Sequence, residues 1–265
     1  MRNEGQSLPA GLREGVVLAT FMLVPRIEVA EMLALAGFDA AIVDLEHGPI
    51  TRAVLPELAA ALQGAGLYAI ARTADDDPAE IAAVLDAGVD GVIVPHVSSA
   101  VEAEAVSQAA KYPPDGVRSL NPYVRGTRYG ADGDLQAVNR RTAIFVMLES
   151  SHGLRQLDEI SAVPGVDAIF IGPVDLSASL GFPGQPEHPV VISAVREIFD
   201  RLSAAGVCGA IYSPTPEAAA RWVSCGASLV ALSADSRLLL DGLQAAVDAF
   251  HLMLVSSHAV GEVSP

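Results

Sequence analysis

The sequence is short of the groups that most directly announce a partner or a chemistry. Lys111 is its only lysine, and 16 basic residues face 32 acidic ones, for a formal net charge of −16. So acidic a surface repels phosphate backbones and anionic lipid at long range, so neither a nucleic acid nor a membrane partner is expected. Two isolated cysteines, Cys208 and Cys225, in apolar surroundings make neither a disulfide framework nor a thiolate metal cage, and are expected as small buried hydrophobes. No apolar run is long enough to span a membrane: the most apolar stretch, Leu238 to Leu254, is broken by Asp241, Gln244 and Asp248. The opening MRNEGQSLPAGLREG lacks the apolar core of a secretory signal, and the expected location is the cytoplasm.

What is present is a chain able to fold. Half of its 265 residues (51%) are apolar, with 23 Gly and 17 Pro, which excludes disordered and collagen-like classes. Short runs rich in Val and Ile alternate with Ala-rich segments of helical period. The predicted strands are Val16–Phe21, Ala40–Leu45, Tyr68–Arg72, Gly91–Pro95, Ile144–Glu149, Ala168–Gly172, Val207–Tyr212 and Leu229–Ser233, with helices predicted over 26–36, 52–64, 78–87, 99–111, 153–162, 189–205, 216–225 and 235–254. Gly37, Gly88 and Gly226 stand where helices stop. Eight βα units without a composition break predict one α/β domain over residues 1–265, a (β/α)8 TIM barrel, with residues 1–14 and 256–265 expected as flexible ends. An open doubly wound sheet would give a similar pattern, but strand count and length favour the barrel. The segment from Tyr112 to Arg141 breaks the rhythm and carries Arg118, Arg125, Arg128, Arg140 and Arg141.

In such a barrel the reactive groups belong at the carboxyl ends of strands. The second strand ends in Asp44-Leu45-Glu46-His47-Gly48-Pro49, where a carboxylate could orient an imidazole for acid-base work; alternatively Asp44 or His47 satisfies local backbone. Arg72 ends the third strand, suited to a developing oxyanion, or else simply opens the exposed loop TADDD. Glu149 and Asp175 end the fifth and sixth strands, two hard oxygen ligands for Mg²⁺ or Mn²⁺, although Asp175 could also be only a helix cap. Gly172 and Pro173 precede a helix start at Asp175-Leu176-Ser177, where free backbone donors could hold a carboxylate. Lys111 ends a helix on the wrong side of its βα unit for a Schiff base, so carbanion stabilisation is left to a metal and Arg72.

With DLEHGP, ARTADDDP, VPHV, AKYPPDGVRS, the VMLE strand and GPVDLSASLGFPG in this order, the chain resembles the HpcH/HpaI aldolase family from about Gly15 to Leu240. The resemblance implies a barrel whose last helix is exchanged between subunits, in a homohexamer of paired protomers. It implies a lyase that reversibly cleaves a 4-hydroxy-2-oxo acid to pyruvate and an aldehyde through a metal-stabilised enolate. A divalent ion (Mg²⁺, Mn²⁺ or Co²⁺) would be held by Glu149 and Asp175, Arg72 would stabilise the enolate, His47 with Asp86 would handle protons, and backbone donors around Val174 and Asp175 would hold the pyruvate carboxylate. Met147 departs from the family, which usually carries Gln there. The loop SLNPYVRGTRYG is richer in arginine than the family leads one to expect: Arg118, Arg125 or Arg128 could grip a distal anionic group of the acceptor, or form ion pairs within an acidic subunit or across an interface. His96 is expected to shape the barrel mouth. Two other readings remain: a citrate-forming or acyl-CoA-cleaving enzyme with the same enolate chemistry, and a non-catalytic barrel that binds a keto acid.

Overall fold

The computed structural model describes residues 6–261. In chain order the elements are α1 (Leu8–Glu14), β1 (Val17–Met22), α2 (Ile27–Ala36), β2 (Ala40–Asp44), α3 (Leu55–Gly64), β3 (Tyr68–Arg72), α4 (Pro78–Asp86), β4 (Gly91–Val94), α5 (Ala100–Ala110), α6 (Leu135–Arg141), β5 (Ala143–Leu148), α7 (Ser151–Arg155), α8 (Leu157–Ser161), β6 (Ala168–Ile171), α9 (Pro173–Ser179), α10 (Pro189–Ala205), β7 (Cys208–Ser213), α11 (Pro216–Ser224), β8 (Ala227–Ala234) and α12 (Asp235–Gly261). The eight strands pair in sequence order, all parallel, and β8 returns to β1 to close the barrel. This is the expected TIM-type architecture, with strand limits within two residues of those predicted. No helix among the described residues is long and apolar enough to cross a membrane.

Strand alternation sorts the side chains into two cores. Outward-facing Val43, Val92, Ile144, Ile169 and Ile211 pack under the helices, while inward-facing Ile42, Ile70, Ile93, Phe145 and Phe170 fill the barrel. The floor is stitched by a repeated device. Each aspartate just before β2, β4 and β6 turns its carboxylate back to the preceding strand: Asp39 accepts from the Leu18 N–H, Asp90 from Ala69 and Asp167 from Ile144, at 3.0, 2.9 and 2.9 Å. A charged acceptor at the first rung holds register where the ladder begins.

Below these rungs lies a helix that the sequence reading placed in a flexible end. Residues 8–14 form α1, whose Leu8 and Leu12 are buried as a plug in the barrel floor. At seven residues the helix is too short for a periodic signature. Its seat is tight: a Cβ on Gly91 would come within 2.8 Å of Leu8 Cδ2 and 3.2 Å of the Ala143 carbonyl oxygen, so Leu8 would have to shift. Residues 1–5 and 262–265, from the ends expected to be flexible, lie outside the described residues. The predicted helix 153–162 is two short ones, α7 and α8, parted at Gln156, and α6 and α9 are likewise short additions.

Lys111 lies at this floor, buried, with Nζ donating to the Asn139 carbonyl at 2.8 Å and 3.8 Å from Asp167. Burial pulls the Lys111 pKa below the usual lysine range, with Asp167 and Asp115 opposing. The chain's only lysine is thus a buttress beneath the barrel, far from any strand end where a carbonyl would react. The plug yields a test. Leu8→Ala, which empties a fully buried site, is expected to cost about 2–5 kcal/mol and lower the urea midpoint; an unchanged midpoint would show that α1 does not contribute to stability.

Candidate active site

The carboxyl ends of β2 to β6 bring together a cluster of opposite charges. Asp44 and Arg72 are register partners on adjacent strands, so their inward side chains meet. Arg72 grips Asp44 in a fork, with Nε to Oδ1 at 2.9 Å and Nη2 to Oδ2 at 2.6 Å, and both residues are buried. The guanidinium lies over the Phe21 ring at 4.9 Å. Its third nitrogen, Nη1, sits 2.9 Å from Glu46 Oε2, close enough for an ion pair although that buried oxygen makes no hydrogen bond.

The DLEHGP segment folds as it does because Asp44 has a second task. Its Oδ1 accepts the backbone N–H groups of Glu46 and His47 at 3.1 and 3.3 Å, which makes a tight turn. Glycine is required next, since a Cβ on Gly48 would run into the Asp44 carbonyl oxygen. The expectation that Asp44 orients the His47 imidazole is therefore corrected: Asp44 contacts His47 through its backbone and spends its carboxylate on Arg72. The His47 ring, two-thirds exposed at the mouth, has Nε2 3.8 Å from Glu46 Oε1.

Glu149 follows β5 and is buried. Its Oε1 accepts the His96 backbone N–H at 2.8 Å and lies 2.8 Å from His96 Nδ1, while His96 Nε2 lies 3.1 Å from Glu46 Oε1. His96 thus bridges two carboxylates, and reaches them from a left-handed backbone (φ 63°) that a non-glycine residue adopts only under constraint. Burial chiefly raises the Glu149 pKa above the ordinary carboxylate range; Asp175 and Glu46 push the same way, and the His96 N–H and imidazole oppose them. Gly172 leaves room for Glu149: a Cβ there would stand 3.0 Å from Oε2 and 2.9 Å from Met147 Cε. Asp175 sits in the first turn of α9, where the helix dipole favours an anion. Pro173 opens that helix and has no N–H, and the Gly172 N–H donates to the Leu148 carbonyl, so the donors available to a ligand belong to Val174 and Asp175. Gly172 and Pro173, expected to precede the helix start, do so, and they shape the site without donating to a ligand.

This donor set suits a divalent ion. Glu46, Glu149 and Asp175 crowd one mouth whose permanent cation, Arg72, is already committed to Asp44. Carboxylate oxygens are hard ligands of the kind Mg²⁺ and Mn²⁺ prefer. Among the described residues no three His, Cys, Asp or Glu side chains form a cage. A pair of ligands, with the remaining positions left to substrate and water, is the arrangement these residues fit.

Two expected participants lie elsewhere in the chain. Asp86 ends α4 next to the amino end of β4, at the floor, where Arg118 Nη2 donates to it at 2.6 Å. Within one chain it does not meet His47, because an α-helix in a βα unit ends at the opposite mouth from where it starts. The arginine loop is at the same floor. Arg125 donates to the Ala87 and Gly88 carbonyls, and Arg128 and Arg141 pair with Asp132. Arg118, Arg128 and Arg141 pair with carboxylates of the same chain, as one reading of the loop has it, whereas Arg125 is held by carbonyl oxygens. Glu46 and the bridging part of His96 were missed by sequence reasoning: Glu46 lies beyond β2 in the turn that Asp44 holds, where strand alternation no longer places a side chain.

The sequence pattern of HpcH/HpaI aldolase/citrate lyase matches residues 19–242. A pyruvate aldolase from Rhizobium etli is 38% identical over 224 residues, which are 84% of this chain and 88% of that protein. A hydroxypyruvate/pyruvate aldolase from Sagittula stellata is 35% identical over 234 residues, 88% of this chain and 91% of the relative. The crystal structure of an HpcH/HpaI aldolase/citrate lyase family protein from Burkholderia cenocepacia superposes with a TM-score of 0.87 at 30% identity, covering 92% of this chain and 98% of that one. Matched in sequence and in shape over nearly the whole barrel, the chain belongs to the HpcH/HpaI aldolase/citrate lyase family.

Proposed function

We propose that this carbon–carbon lyase reversibly cleaves a 4-hydroxy-2-oxo acid into pyruvate and an aldehyde. The observation that carries the reading is the fork-held Arg72 beside the Glu149 and Asp175 carboxylates, a permanent cation and a hard-ligand pair at one barrel mouth. The names of the two aldolase relatives point the same way.

Cleavage breaks the bond between C3 and C4. The C4 hydroxyl loses a proton, the bonding electrons pass to C3, and negative charge develops on the C2 oxygen. Glu149 and Asp175 would hold a divalent ion (Mg²⁺, Mn²⁺ or Co²⁺), and Lewis-acid polarisation of the 2-oxo group is what that ion supplies when bound. Arg72 stabilises the developing oxyanion. Of its five N–H groups two are committed to Asp44, and Nη1 lies 2.9 Å from Glu46 Oε2, so the guanidinium is fixed in place before substrate arrives. The Val174 and Asp175 N–H groups at the start of α9 receive the substrate carboxylate. His47, exposed at the rim and without Asp86 of its own chain, takes the C4 hydroxyl proton as the aldehyde leaves, and a proton from water then adds at C3 of the enolate to give pyruvate.

The working unit is an oligomer, expected as a hexamer of paired protomers. The support is α12, which packs on β1 and β8 in this chain yet leaves Leu239, Leu243, Val247, Phe250 and Met253 more than half exposed. An apolar stripe of that length on a long helix calls for a partner surface, and exchange of α12 between protomers would supply one.

Three measurements follow. Arg72→Lys keeps the charge and loses the fork; a fall in kcat of roughly 10²–10³-fold with an unchanged fold is expected, and a near-normal kcat would remove Arg72 from the mechanism. Glu149→Ala and Asp175→Ala should each abolish Mn²⁺ uptake by calorimetry and metal-dependent deuterium exchange into the pyruvate methyl group. Full exchange in both variants would refute the site. A chain ending at residue 241 should be monomeric by light scattering where the full chain is not, and a monomeric full chain would refute the oligomer.

A further inference from the structure

The His96 side chain is about two-thirds exposed, yet its place is dictated by a firmly held backbone. It follows β4, whose register neighbour β5 leads to Glu149, so the two residues stand at adjacent strand ends. Pro95 and Val97 on either side are buried, and the Ser98 and Ser99 N–H groups donate to Glu102 Oε2 at 2.7 and 3.0 Å in the capping box that opens α5. Between these anchors His96 takes its left-handed φ of 63°. Strain of this kind persists where the surroundings dictate it, and it concentrates at functional sites. Here it brings two groups of one residue onto one oxygen: the N–H and Nδ1 of His96 both lie 2.8 Å from Glu149 Oε1. The ring is backed on its far side by Glu46, whose Oε1 is 3.1 Å from Nε2 and whose Oε2 is 2.9 Å from Arg72 Nη1.

The two oxygens of Glu149 are thereby sorted. Oε1 is occupied by His96, while Oε2 lies on the side of Gly172, where a Cβ would stand 3.0 Å from it, at the start of the helix that carries Asp175. We propose that His96 is a positioning residue of the metal site: by holding Oε1 it limits Glu149 to ligation through Oε2 alone, and so favours a small octahedral ion over a larger one. The proposal rests on Glu149 and Asp175 as the ligand pair. Small ions such as Mg²⁺ and Mn²⁺ suit octahedral shells of oxygen, whereas Ca²⁺ accepts both oxygens of one carboxylate in a looser and more crowded shell. A carboxylate with one oxygen already taken serves the first kind of ion and handicaps the second. Partners that orient a metal ligand in this way are worth about 10–100-fold in metal affinity.

The test is calorimetry of Mn²⁺ and of Ca²⁺ binding to the full-length protein at one pH and ionic strength. His96→Gly removes the ring and leaves the left-handed backbone free of strain. It is expected to weaken Mn²⁺ binding by about 10–100-fold while Ca²⁺ binding is unchanged or tighter. His96→Asn, whose amide nitrogen can take the place of Nδ1 and whose backbone tolerates the same φ, should restore most of the Mn²⁺ affinity. The proposal is overturned if His96→Gly holds Mn²⁺ as tightly as the wild type, if the two ions weaken equally, which would reduce His96 to support of the fold, or if His96→Asn gives no rescue. A wild type that takes up no Mn²⁺ would refute the ligand pair and this proposal together. A wild type that binds Mn²⁺ beside an indifferent His96→Gly would remove His96 alone and leave the pair standing.

Discussion

The fork between Arg72 and Asp44 is the contact around which the mouth is built. Taking a guanidinium and a carboxylate out of water costs several kcal/mol per ion, which only close, two-point geometry and further hydrogen bonds offset. Both are present: the two bonds of 2.9 and 2.6 Å, and the backbone donors of Glu46 and His47 on the remaining capacity of Asp44. The same carboxylate thus fixes the cation and folds the turn that carries Glu46 and His47 to the rim. Removing Asp44 would leave the buried guanidinium with Glu46 as its one remaining carboxylate and release that turn at once, so the part of Asp44 in the site is positional even though it need never touch a substrate.

Around this fork the carboxylates outnumber the cations. The Glu149 carboxyl is held high chiefly because it is desolvated. Its neighbour His96 supplies compensation from above, through a backbone N–H and an imidazole that faces Glu46 on its other side. A pocket of this kind discriminates by charge: it favours a multivalent cation and, behind it, the anionic end of a small substrate, while an uncharged ligand gains nothing from the arrangement.

The barrel was legible because each βα unit leaves two local marks, an apolar run of strand length and a glycine where the helix stops. The strand-end candidates Asp44, Arg72, Glu149 and Asp175 were legible for the same reason, since the fold class says which end of a strand is open. What could not be seen was anything set by closure of the chain on itself. That Asp44 serves Arg72 and not the His47 ring depends on strand register, Asp44 opposite Arg72, which no single segment encodes. His96 owes its bridging position to a positive φ that its sequence neighbourhood does not announce. The floor position of Asp86 and the arginine loop was within reach: a residue that ends a helix in a βα unit must lie opposite the mouth, and helix polarity would have separated Asp86 from His47 at the outset. Helix α1 escaped because seven residues carry too little period, although its burial of Leu8 and Leu12 is what closes the barrel beneath.

Met147 shows how the apolar barrel interior and the charged mouth act on each other. It is the last inward side chain of β5 before Glu149, is almost fully buried, and belongs to the inner core with Phe21, Phe145 and Phe170. A polar side chain at this level could donate a hydrogen bond upward to the carboxylate or hold a water beside it. Methionine can do neither, and its methyl group packs against Gly172 on the same side as Glu149 Oε2. The layer beneath the carboxylate is therefore apolar. Desolvation is the dominant cause of the raised Glu149 pKa, and every apolar atom below it strengthens that cause. The compensation must come from above, from the direction in which substrate and ion arrive. An apolar residue one layer down thus adds to the attraction that the mouth exerts on a cation, without touching it.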